Sequence, residues 1–176
     1  MEIHPKELDL FVPGRICLFG EHSDWAGVYR RINADIIPGN VVICGTNQGI
    51  YGRCKPHDSR LIIRSCITEG DDPEYLDIEM DKDRLKEVAE SDSIFCYGAG
   101  VAYYMKEFYG VNGVVIDNFK TTLPVKKGLS SSAAFCVLVA RSFNEVYGLK
   151  LTKRAEIEAA YQGEIMTSSR CGRMDQ

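Results

Sequence analysis

The sequence predicts an α+β fold, and three observations carry that prediction. Up to about residue 67 the apolar residues come in short runs bounded by turn signals, as strands do. From Asp81 onward they recur at helical spacing. Glycines then stand at 110 and 148, where two of the helical stretches need to stop.

In chain order, Leu8 to Pro13 and Arg15 to Gly20 read as two short strands around a Pro13-Gly14 turn. Further strands are expected at Val41 to Lys55 and Arg60 to Ile67. Lys82 to Ala89 is a short helix, and Ser93 to Tyr109 a longer one that Gly110 ends. Val114 to Phe119 returns to a strand. Ser130, Ser131 and Ser132 offer capping hydroxyls for a helix running to about Tyr147, with Gly148 as its C-cap. Thr152 opens a last helix that carries Ala155, Ile157, Ala159, Ala160 and Ile165 toward Met166. No internal repeat is present, and the only linker candidate, Glu69 to Pro73, is too short to mark a domain boundary.

Composition narrows the class of protein. With 176 residues, 45% of them hydrophobic and 26% charged, the chain suffices for one domain that buries its own core. A net charge of −4 speaks against a broad basic face for nucleic acid. The longest apolar run, Ala133 to Ala140, is too short to cross a bilayer, and residues 1–7 lack the pattern of a signal peptide, so a cytoplasmic protein is expected. The seven cysteines are an odd number without CxxC pairs and read as buried, reduced thiols.

Three segments carry candidate chemistry. Pro124 to Ala134 has the parts of a phosphate loop: Gly128 permits close backbone approach, and small hydroxyl residues open a helix whose free N–H groups attract anions. An ordinary serine-capped helix fits the same residues equally well. Pro13 to Trp25 ends a strand in Glu21, His22 and Asp24, a group suited to hydrogen-bonding several hydroxyls of a polar ligand. Cys171 to Gln176 sets Asp175 near Gly172, as a substrate-contacting loop does.

Together and in order, these segments resemble the GHMP kinase superfamily, named for galactokinase, homoserine kinase, mevalonate kinase and phosphomevalonate kinase. Pro13 to Asp24 looks like the galactokinase signature, Gly128-Leu129-Ser130-Ser131-Ser132-Ala133 like the nucleotide motif, and Cys171 to Gln176 like the segment holding the catalytic aspartate. The resemblance implies a mixed β-sheet with helices packed on one side and a left-handed βαβ unit. It also implies ATP and Mg²⁺ as cofactors and a sugar such as galactose as substrate. Asp175 would take the proton of the attacking hydroxyl, with Arg15 beside it to stabilise charge on the transferring phosphoryl group. Glu21, His22, Asp24 and Gly172 would hold the substrate, Gly128 to Ala133 the nucleotide, and Ser131 with Glu164 the metal.

The chain departs from the family pattern at Lys126, at Val28 after Gly27, and at the basic pair Arg30-Arg31, which reads either as surface solvation or as a contact to an acidic or phosphorylated substrate. The spacing from Glu164 to Asp175 looks more like mevalonate kinase. A mevalonate-type metabolite kinase and a non-catalytic sugar or nucleotide sensor are therefore the alternatives. Residues 1–176 correspond to the N-terminal domain alone, and the C-terminal domain that the resemblance implies lies outside this sequence.

Overall fold

The computed structural model describes residues 7–24, 29–66, 72–123, 130–169 and 171–176. Five strands, β1 (Leu8–Phe19), β2 (Val42–His57), β3 (Arg60–Ser65), β4 (Glu74–Glu79) and β5 (Gly113–Thr121), form one sheet in the order β1-β2-β5-β3-β4. β3 and β5 run parallel and the other neighbours antiparallel, so the sheet is mixed. The described helices are α1 (Lys82–Ala89), α2 (Cys96–Tyr109), α3 (Ser131–Tyr147) and α4 (Lys153–Glu164).

Strand alternation and helix faces explain the core. In β3, Leu61, Ile63 and Ser65 are buried while their neighbours are half-exposed, the period-2 pattern of a one-sided sheet. β5 answers with Val114, Ile116 and Asn118. α2 and α3 lie over this face. A Cβ on Gly98 of α2 would meet Ile63 and Phe135, and one on Gly52 of β2 would meet Leu138 of α3. Fully buried Met105, Leu138 and Phe143 fill the layer between.

Helix ends follow the sequence signals except at the starts of α2 and α3. Gly110 and Gly148 both adopt the left-handed conformation at their C-caps, Asp81 caps α1 through bonds from the N–H groups of Asp83 and Arg84, and Thr152 caps α4 at Ala155. α2 starts at Cys96, after a Phe95 that makes no side-chain capping bond, and not at Ser93; at α3 the departure is Ser130. It precedes α3 with φ 53° and ψ 48°, and its hydroxyl makes no capping bond.

Two strand expectations change. Leu8–Phe19 is one strand and not two, because a register shift between Pro13 and Arg15 absorbs the Pro13-Gly14 pair. β1 lies at the sheet edge, where proline's missing N–H leaves no ladder bond broken. β4 was not expected, since Glu74–Glu79 is charged and only Ile78 is buried. The cysteines are all free, yet burial holds only for Cys54, Cys96 and Cys136; Cys44 is exposed. No described helix is long and apolar enough to cross a membrane.

Candidate active site

Three elements deliver the central cluster. Arg15 comes from β1 just after its register shift, Ser130 from the start of α3, and Asp175 from the segment that follows α4. Arg15 donates through Nη2 to Oδ1 of Asp175, across 160 positions of sequence. The Ser130 hydroxyl donates to the same oxygen at 2.8 Å. The same Nη2 of Arg15 also donates to Glu21 Oε1 at 3.4 Å. Arg15 keeps its Nε buried and without a partner among the described residues, an orphan donor beside the carboxylate.

The bond to Asp175 accounts for Ser130. A non-glycine residue in the left-handed region is strained, and here the strain coincides with a hydroxyl turned from its own helix to the aspartate. The N–H groups of the first turn of α3 are consequently left without a side-chain cap. Ser131 and Ser132 stand half-exposed in that turn and Ala133 is buried.

Asp24 reaches the Cys171–Gln176 segment from the end of the Pro13–Asp24 motif. Its Oδ2 accepts from the backbone N–H of Met174 at 3.2 Å. The same oxygen would lie 1.6 Å from a Cβ on Gly172, so only glycine admits the carboxylate there. Arg173 holds the outer side of the segment by pairing with Glu158 and stacking over the Tyr161 ring at 4.2 Å. That guanidinium, with Gln162, draws the Glu158 carboxyl below its ordinary range.

Glu164, the last residue of α4, forms a second cluster. It is 1% exposed, and burial pushes its carboxyl above the ordinary carboxylate range despite hydrogen-bonding neighbours led by Ser132 and Gln176. Gln176 donates to Glu164 Oε2 at 2.7 Å and leaves its own Oε1 buried and unpartnered among the described residues. Burial also raises the Cys171 thiol to about 11 and the Cys136 thiol well above its ordinary value, which keeps both protonated. α4 holds Glu164 in place by backbone contact with α2: a Cβ on Gly163 would sit 2.4 Å from Val101 N, and one on Gly100 2.2 Å from Gly163 O.

These donors suit a hard cation. Glu164 supplies a carboxylate with no cationic side chain paired to it among the described residues, Ser132 a hydroxyl, and Gln176 an orphan carbonyl oxygen. No three described His, Cys, Asp or Glu side chains cluster as metal ligands. A cation here would complete its shell from substrate phosphates and water, the manner of Mg²⁺.

Of the residues expected from sequence, Arg15, Glu21, Ser130 and Asp175 form one network, Asp24 meets Gly172, and Glu164 meets Ser132. Ser131 makes no hydrogen bond to Glu164 among the described residues. His22 is exposed with φ 65° and makes no hydrogen bond among the described residues. Gly128 and Leu129, with Lys126 and Val28, lie outside the described residues. Sequence reasoning missed the Ser130–Asp175 bond and the role of Gln176, because neither residue type signals its distant partner.

The chain is similar to known proteins in sequence and in fold. Residues 95–176 match the family described as GHMP kinases N terminal domain. Over 167 residues the chain is 29% identical to a galactokinase of Streptococcus suis, covering 93% of this chain and 39% of the relative. It is 31% identical over 149 residues to a galactokinase of Ligilactobacillus salivarius, covering 84% and 34%. The chain thus spans little more than a third of the length of these relatives. Among solved structures, Lactococcus lactis galactokinase complexed with galactose superposes with a TM-score of 0.71 at 22% identity, covering 98% of this chain and 41% of that one. Methanococcus jannaschii mevalonate kinase gives 0.70 at 17% identity, covering 97% and 50%.

Proposed function

We propose, for a chain that carries the fold of the GHMP kinase N-terminal domain, that it is the catalytic-residue-bearing part of an ATP-dependent kinase acting on a hydroxyl of a small sugar such as galactose. The observation that carries this reading is the Asp175 carboxylate, held by Arg15 and Ser130 in front of the uncapped start of α3.

Each part has work in phosphoryl transfer. Asp175 accepts the proton as the substrate hydroxyl oxygen bonds the γ-phosphorus and the bond to ADP breaks. Arg15, fixed against Asp175, sets a permanent positive charge where phosphoryl oxygens gain negative charge. The first-turn N–H groups of α3 face the anionic nucleotide, with Gly128 to Ala133 as the phosphate-binding segment. Asp24, Glu21 and His22 bind sugar hydroxyls, Asp24 being oriented by Met174 and Gly172. Glu164, Ser131 and Ser132 would hold Mg²⁺, which when bound neutralises phosphate charge. The galactokinase relatives favour a sugar over mevalonate as substrate. A C-terminal domain, part of this same proposal, closes the nucleotide side.

The test is ATP consumption by the full-length protein against a panel of sugars, mevalonate and homoserine. A sugar is expected to be turned over. Asp175→Asn is expected to lower kcat by about 10²–10⁴-fold while nucleotide affinity stays within about twofold. Full activity in that variant overturns the assignment of Asp175.

A further inference from the structure

We infer that the substrate carries an anionic group, a carboxylate or a phosphate, which Arg30 and Arg31 receive. The inference begins at an open, solvent-facing pocket of about 520 Å³ lined by Asp24, Arg30, Arg31, Ala34, Pro38 and Gly39. Its size falls within the range of small-molecule sites, roughly 300–1,000 Å³.

Two adjacent unpaired guanidinium groups mark this pocket. Of the other described arginines, Arg15, Arg53, Arg60, Arg64, Arg84, Arg141 and Arg173 each pair with a carboxylate, and Arg154 stands alone on α4 without one. Arg30 and Arg31 pair with none and make no hydrogen bond among the described residues. Among the described residues of the lining, Asp24 is the one carboxylate, against two guanidinium groups. The balance there is one positive charge in a chain whose net charge is −4. Guanidinium groups bind planar carboxylates and phosphates through two parallel hydrogen bonds, a geometry a neutral sugar hydroxyl does not offer.

Position ties the pair to the reacting centre. Asp24 both lines the cavity and accepts from Met174 N, one residue before Asp175. The far rim is fastened to the same loop: a Cβ on Gly39 would fall 1.9 Å from Ser23 O, and one on Gly20 2.0 Å from Asn40 O. Ser23 Oγ donates to Gly20 O at 2.6 Å and to Asn40 O at 3.1 Å. The segment bearing the arginines is therefore held against the substrate motif by backbone contact. A sugar with hydroxyls on Asp24 extends its remaining substituent toward Arg30 and Arg31.

This inference rests on the kinase reading for the reaction but not for the binding, which separates the two in experiment. Galactose, galacturonate and galactose 6-phosphate are titrated by calorimetry into the full-length protein and into R30Q/R31Q, with ATP consumption followed in parallel. One of the two anionic sugars is expected to bind at least about tenfold tighter than galactose, equivalent to about 1.4 kcal/mol. The double variant should erase that advantage while leaving galactose affinity unchanged, and added salt should narrow it. Which anion wins identifies the group as carboxylate or phosphate. Galactose binding as tightly as both anions, or an advantage that survives in R30Q/R31Q, overturns the inference. If galactose is phosphorylated in that case, the kinase reading stands without it. Arginine-dependent binding of an anionic sugar without ATP consumption on any sugar supports the anion site and removes the kinase reading.

Discussion

Phe143 and Phe19 are the same residue type with opposite surroundings. Phe143, on α3, is fully buried between the helices and the sheet, and Phe19, at the end of β1, is 74% exposed. Their neighbours follow suit: Leu61, Ile63, Val114 and Ile116 are fully covered, whereas Ile16, Leu18, Val42 and Ile43 stand exposed where β1 leaves β2. The helix-covered region has completed its burial and carries the stability. The β1–β2 end leaves apolar area in water, so its residues add little to folding. The candidate site straddles the two, with Arg15 and Asp24 from the open side and Ser130, Glu164 and Asp175 anchored by the closed one.

The contrast breaks if the two phenylalanines respond alike. Phe143→Ala should cost about 3–5 kcal/mol in chemical denaturation, as expected for a large ring removed from a packed core. Next in size, Gly163→Ala should cost about 1–3 kcal/mol, since the added methyl meets the α2 backbone at Val101, which cannot move aside as a flexible side chain does. Its effect on activity should exceed that of an equally destabilising change elsewhere, because Glu164 is the next residue.

Glu164→Gln sharpens the contrast from within the closed region. Its raised carboxyl means that the protonated form favours the fold at acid pH, and this contribution is lost as pH rises through the raised value. The variant should therefore be more stable than the parent at pH 7, and the difference should vanish on acidification, measured by denaturant midpoints across pH. The proposed metal role predicts lost activity in the same variant. Smallest of all, Phe19→Ala should change stability by no more than about 0.5 kcal/mol.

Legibility in the sequence follows the same division. The helices were readable because their ends are local: Gly110 and Gly148 take the left-handed turn and Thr152 supplies a cap, all decided within a few residues. The break expected at Pro13-Gly14 was not there, since an edge strand accommodates a proline that a central strand would reject. β4 escaped notice because its charged outer face hides the single buried Ile78. In the site, Arg15, Asp24, Glu164 and Asp175 could be named from their motifs. The hydroxyl of Ser130 and the amide of Gln176 could not, because their partners are brought to them only by the tertiary fold.

The bond between Arg15 and Asp175 also sets an order of events during synthesis. Residues 160 positions apart meet only after nearly all of the described chain exists, and Asp24 waits in the same way for Met174. The pairing of β1 with β2 needs no such delay, so the strand holding Arg15 can be in place while its partner is still untranslated. The Arg15–Asp175 cluster therefore assembles later than the strand pair that carries Arg15.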